Sequence, residues 1–302
     1  MISKTKSRLD KSLNSVKQWA QGTSPVRGHR LTAYLSGEGK LILANTDLFD
    51  YGMAKVDQSL LAAIDGAHGD ANKHMAHAFT RMILANMFDI REMKGTDRRI
   101  AGNLDTETHL MLGAIAIGRP ELVQPHYQTV LDGVDGGYGV HDGHNLPLGT
   151  TLRYAAFGLT IIGDWLGKPL DLDKHALPRD PAWGQLVAHW REPDPEKFLP
   201  ILLTACDTHI ERIALTERED DTGQFEFGSV FLAVHPTEIL AVLRLREIIG
   251  LMNPAHIDHP LMQTPYAAIT CQPGEVTERD ELLDRFLEVV RQRDPQVLPS
   301  GL

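Results

Sequence analysis

Fourteen residues, Asp132–Asn145 (DGVDGGYGVHDGHN), pack five glycines, three aspartates and two histidines, types that could cradle a phosphate or bind a metal. A dinucleotide cradle needs GxGxxG after a strand. Here Gly137 and Gly139 are followed at the required position by Asp142, Gly143 comes one place too late, and no strand is predicted before them. The nucleotide reading fails. As a metal site the segment does better, because His141 and His144 flank Asp142, and imidazole with carboxylate suits zinc or a harder ion. The same HxxH spacing recurs at His74/His77 and His256/His259, three pairs where chance gives roughly 0.6. A catalytic zinc wants a third ligand and an activating carboxylate, and HExxH is absent. Histidines that serve as polar or capping groups are the commoner case, and glycine-rich stretches are how chains turn between helices. The segment therefore reads as the joint between two helical halves, and no metal or cofactor is assigned.

The second candidate is Glu217–Phe227 (EREDDTGQFEF). A DDxxD motif for magnesium-diphosphate fails, since Asp220 and Asp221 are followed by Gln224 and no second acidic motif answers it. What remains is charge: Glu217, Glu219, Asp220, Asp221 and Glu226 stand against Arg218 alone, with Phe225 and Phe227 beside them. Negative charge steers a basic partner and an aromatic anchor supplies binding energy. Glu217, Glu219, Asp220, Asp221, Phe225 and Glu226 are the candidate partner-binding residues. The plainer reading is a solvated loop after a helix that ends near Leu215. No catalytic residue is assigned: GxSxG is absent, Ser229 lacks an elbow pattern, and Cys206, three residues before His209 in the apolar run ILLTACDTHI, reads as a buried thiol.

Helical spacing recurs along almost the whole chain. Trp183, Leu186, Val187 and Trp190 fall at i, i+3, i+4 and i+7 after an Asp180–Pro181 start signal; Leu282, Leu283, Phe286, Val289 and Val290 share one face, with Thr277 and Asp280 resembling a capping box. Further helices are predicted over Ser3–Ala20, Asp47–Asp65, Ala71–Arg91, Thr106–Ile117, Glu121–Leu131, Leu148–Trp165, Glu196–Leu215 and Pro236–Ile249. Aromatics are 6% of residues and β-branched runs are scarce. The expectation is an all-α, two-part array of about ten packed helices with helix-pair stacking, divided into residues 1–145 and 146–302.

The chain has 302 residues, 42% apolar and 23% charged, an ordinary globular mixture. Cys206 and Cys271 lie far apart in apolar or neutral surroundings and read as reduced thiols. Net charge is −10, but residues 1–40 carry eight Lys/Arg against Asp10 and Glu38, leaving −16 on the rest. An acidic body repels nucleic acid and favours a basic partner. The N-terminus lacks an apolar signal core and no segment suits a membrane span, so a cytoplasmic protein is expected.

The segment FGSVFLAVHPTEILAVLRLREIIGLMNPAHIDHPLMQTPYAAI resembles the C-terminal region of helical immunity proteins of bacterial polymorphic-toxin and type VI secretion systems, in particular the PoNi-like group. The matching positions are Phe231, Glu238, Ile249–Gly250–Leu251, Asp258, His259–Pro260 and Pro265–Tyr266; helix Trp183–Trp190 and the DPEKFLPILLTACDTHIER that follows look like the paired helices before it. The likeness covers roughly residues 180–270. Val234–His235–Pro236 departs from an aromatic-rich stretch, and the acidic Glu217–Phe227 loop looks inserted. The resemblance implies a non-catalytic protein that binds a cognate toxin effector, of basic nuclease type, and covers its active or assembly surface. It implies no direct nucleic-acid or membrane contact, and it is compatible with a homo-oligomer. The rival reading is an all-α metal-dependent enzyme using the His/Asp clusters.

Overall fold

Capping residues set the helix boundaries. Asp180 and Asp194 accept the backbone N–H groups of Ala182 and Glu196 with Pro181 and Pro195 at the first helical positions, the arrangement that satisfies orphan donors at no cost to the ladder. The last helix starts three residues later than the Thr277 signal suggests: its cap is Asp280, which accepts from Leu283 N. Arg81 explains the choice, because its guanidinium forks onto both Asp280 oxygens at 2.7 Å and holds that carboxylate at the helix start.

The computed structural model describes residues 2–96, 102–141 and 151–300. Among them the fold is all-α: α1 (Ile2–Gly22), α2 (His29–Leu35), α3 (Leu41–Ile64), α4 (His68–Glu92), α5 (Leu104–Ala116), α6 (Val123–Asp135), α7 (Arg153–Trp165), α8 (Pro181–His189), α9 (Pro195–Glu211), α10 (Glu217–Asp220), α11 (Val230–Val234), α12 (Thr237–Ile248) and α13 (Glu281–Arg293). The only strands among the described residues are the two-residue β1 (Gly102–Asn103) and β2 (Val140–His141), paired in parallel. Sequence periodicity finds the long helices. It misses α2, α10 and α11, which have too few turns to show a repeating face.

Helices α3 and α4 form an antiparallel pair: Asn45 meets Asp89 near one end, and Ser59 Oγ donates to Ala71 O near the other. Their seam continues into α5, whose residues 110–116 are nearly all sealed from solvent. Neighbours α4, α6, α7 and α12 surround α5. One hydrophobic cluster runs from Leu9 in α1 through Met111 in α5 and Phe157 in α7 to Phe286 in α13, so helices from both sides of residue 146 share a core. The chain ends are tied in as well: Tyr34 Oη donates to Asp294 at 2.6 Å, and its ring lies 5.8 Å from that of Phe286. No helix among the described residues is long and apolar enough to cross a membrane.

Packing at the α4–α5 seam requires a missing side chain. A Cβ on Gly113 would sit 1.9 Å from Phe79 Cε1, and Phe79 is itself wholly buried. Gly113→Ala is expected to destabilise by about 1–3 kcal/mol through overpacking, despite alanine's better helix propensity. Urea unfolding followed by circular dichroism measures it, and a gain in stability would show that the seam is slack.

Candidate functional site

The acidic segment is an out-and-back loop closed at its base. Ala214 N donates to Phe227 O at 3.0 Å and Phe227 N to Arg212 O at 3.1 Å, so the chain leaves the end of α9, makes the single turn of α10 and returns. Phe227 anchors the return. Its ring stacks on His209 at 4.0 Å and meets Tyr154 edge-on at 5.7 Å. At the other end Thr216 caps α10, accepting from Glu219 N.

This loop forms one lip of a cleft of about 500 Å³. Phe49 and Met53 of α3 face it, His109 of α5 and Tyr154 of α7 line it deeper in, and Phe225 and Phe231 complete an aromatic wall. Asp220 and Asp221 stand at the lip, both exposed, with exposed Glu217 on the same turn.

The six residues singled out from sequence have different environments. Glu219 is held by Arg8 of α1, whose Nη1 and Nη2 donate to its two oxygens at 2.9 and 3.0 Å, while Leu215 N donates at 2.7 Å. These bonds pull its carboxyl down to about 2. The same guanidinium lies 4.8 Å from the centre of the Phe225 ring, so Arg8 clamps the loop and orients the aromatic wall. Glu226 points inward with its side chain 1% exposed, 3.2 Å from Arg153 Nε and 3.8 Å from Arg212 Nε. Asp180 shares both arginines at 3.7 and 3.1 Å. Burial pushes the Glu226 carboxyl up to about 7 against the pull of the two arginines. Glu217, Asp220 and Asp221 are exposed, while Asp220, Asp221, half-buried Phe225 and Glu226 line the cleft.

His109 of α5 also lines the cleft. Burial pushes His109 down to about 3, so it is neutral; its Nδ1 lies 3.5 Å from Tyr154 Oη, and its buried Nε2 has no hydrogen-bond partner among the described residues. Beside it Asp105 caps the start of α7, accepting N–H bonds from Thr151, Leu152 and Ala155. Sequence reasoning missed Phe49, Met53, Asp105, His109 and Tyr154. They come from three separate helices; i, i+4 spacing pairs Phe49 with Met53 and Asp105 with His109, but no local spacing connects one helix to the next.

The described histidines of these pairs make other contacts. His74 Nδ1 lies 3.4 Å from Lys55 Nζ; burial, then Lys55, pushes this ring down to about 4. His77 contacts Glu278 O. His256 is exposed, and His259 caps a 3-10 turn by accepting from Leu261 N. His141 lies in β2, while Asp142, His144 and Asn145 fall outside the described residues. Among the described residues no three His, Cys, Asp or Glu side chains converge on one point. Cys206 is buried and desolvation raises its pKa. His209 is committed elsewhere: Nε2 donates to Ala233 O at 3.1 Å, and Nδ1 meets Glu238 Oε1 at 2.7 Å.

A second cavity of about 280 Å³ adjoins the cleft and shares Phe49, Asn103 and Thr106 with it. On its wall Asp89 is pushed up to about 7, first by burial and further by the nearby charges of Glu92 and Glu107, while the bond from Asn45 pulls the other way. Since the ordinary value is 3.8, the folded chain holds this proton more tightly than the unfolded chain. The resulting stability is complete below about pH 4 and is lost as pH rises through 7. Asp89→Asn is expected to remove about 2–4 kcal/mol of the stability difference between pH 5 and pH 8. Thermal unfolding of both proteins at the two pH values tests this; equal slopes would show that Asp89 is hydrated and ordinary.

Comparisons with protein-family models, with curated proteins and with solved structures find no match for this chain.

Proposed function

We propose that this chain is a non-catalytic binding protein that neutralises a basic protein partner, acting as a cytoplasmic immunity protein against a secreted antibacterial toxin of nuclease type. The carrying observation is the outward display of Glu217, Asp220 and Asp221 at the lip of an aromatic-walled cleft, on a loop held by Arg8. Exposed acids steer a basic surface toward the lip. Phe225, half-buried and already oriented, loses little side-chain freedom when a partner packs on it, which is what makes an anchor effective. A stable complex buries about 800 Å² on each partner, so surfaces around the lip must join it.

The chemistry at the base of the cleft supports binding over turnover. His109 is neutral, and Asp105 is occupied by three backbone N–H groups. The test is co-expression with the product of the adjacent gene, followed by affinity purification and a survival assay. Stable co-purification with rescue from toxicity supports the reading. Absence of both, alongside stoichiometric metal in the purified chain, would replace it with a metal-dependent enzyme.

A further inference from the structure

Among the described residues the smaller cavity is lined by the carboxylates Asp89 and Glu107 and by no cation. The Asp89 carboxylate accepts one hydrogen bond among the described residues, from Asn45 Nδ2 at 2.6 Å. Its nearby charged neighbours Glu92 and Glu107 carry its own sign. Glu107 is already committed, with Oε1 accepting from Asn86 and Oε2 paired to His126 at 2.8 Å. Asn45 is wholly buried. It must turn its amide N–H toward the carboxylate, and this leaves Oδ1 buried without a partner among the described residues. Both residues line the cavity.

Buried polar groups without partners are costly, and a buried carboxylate without a counter-charge costs more. The needs of Asn45 Oδ1 and Asp89 are of one kind: each wants a donor, and Asp89 wants a positive one. Phe49 at the shared wall is an aromatic group, the kind of side chain that attracts a cation. A metal ion is a poor answer, because no third ligating side chain converges there among the described residues. Ligand pockets for drug-sized molecules start at about 300 Å³. A cavity of about 280 Å³ suits a single planar head group.

We propose that this cavity is a recognition site for an organic cation rich in N–H donors, a guanidinium, with Asp89 and the Asn45 Oδ1 as its acceptors. The guanidinium is either carried by an arginine of a polypeptide or borne by a free guanidino compound. The acceptors sit on α3 and α4, apart from the α10 lip, so the site and the acidic rim stand or fall separately.

Calorimetric titration of the full chain at pH 8 tests the site with three probes: agmatine, the peptide Gly-Arg-Gly, and tetramethylammonium, which has charge but no N–H. Agmatine or the peptide is expected to bind saturably and raise the melting temperature, and tetramethylammonium is not. Asp89→Asn, close to isosteric, should weaken binding by about tenfold or more; Asn45→Ser should weaken it as well, with helix content by circular dichroism checked for both. Tighter binding of the peptide than of agmatine identifies a polypeptide source, and the reverse order identifies a free compound. Equal binding of tetramethylammonium, unchanged affinity in a folded Asp89→Asn variant, or no binding of either guanidinium probe at millimolar concentration would overturn the proposal. Lysine substitutions at Asp220 and Asp221 should leave all three titrations unchanged, which separates this result from the fate of the rim.

Discussion

Replacing Glu217, Asp220 and Asp221 together by lysine is expected to slow association with the proposed basic partner by about 10- to 1,000-fold at low salt. The three side chains are exposed, so the change alters the field at the lip without unfolding the loop. The loop is held by other groups: Arg8 on Glu219, the Arg153–Glu226–Arg212 contacts, and Phe227 on His209. Steering is screened over roughly 10 Å at 0.1 M salt. Wild-type association should therefore fall steeply as salt rises, while the triple variant starts slow and changes little. Stopped-flow mixing at two ionic strengths reads both quantities. Equal rates at low salt would remove the acidic lip from recognition, even if the complex itself forms.

The contrast between these acids and their neighbours marks the limit of what a single sequence displays. Charge density and the two phenylalanines identify the Glu217–Phe227 stretch as a candidate surface. They do not separate Asp220, which is exposed, from Glu226, whose side chain is 1% exposed between two arginines. That sorting depends on Arg8 from α1, Arg153 from α7 and Arg212 from α9, contacts that span up to 211 residues of chain. The all-α class was legible because a repeating face needs only local spacing. The Asp180–Pro181 start signal was legible for the same reason. The cleft was not, because Phe49, His109 and Tyr154 meet only through packing of α3, α5 and α7. Likewise Asn45 and Asp89 are 44 residues apart and become neighbours through the antiparallel α3–α4 pairing. A short loop joins these helices, but no pattern in either helix alone announces a half-buried acid at their seam.

Truncating Arg246 is expected to give the largest loss of stability of any single change considered, about 4–5 kcal/mol for Arg246→Ala. The side chain is wholly buried. Its Nη1 donates to Trp190 O and Glu192 O at 2.7 and 2.8 Å, its Nη2 to Met252 O at 2.6 Å, and its Nε to Asn253 Oδ1 at 3.1 Å. The guanidinium also lies 3.9 Å from the centre of the Phe198 ring. One side chain thus joins the end of α8, the entry to α9 and the segment after α12. Carbonyls near helix ends lack intrahelical donors, and a cation there also meets the negative end of the dipole. Losing the fork strands buried acceptors at about 1–3 kcal/mol each, and the lost stem opens a cavity with a further cost. Chemical unfolding monitored by tryptophan fluorescence should report it directly, since Trp190 is at the knot. Arg246→Met divides the effect: the step from arginine to methionine isolates the hydrogen-bond fork, and the step from methionine to alanine isolates packing. A methionine variant as stable as wild type would mean that relaxation or water replaces the fork at no net cost. The bonds would then specify how α8, α9 and α12 meet without adding to stability. With the expected loss, the melting temperature falls by about 8–15 °C, and below that transition partner binding should persist because no atom of Arg246 lines the cleft.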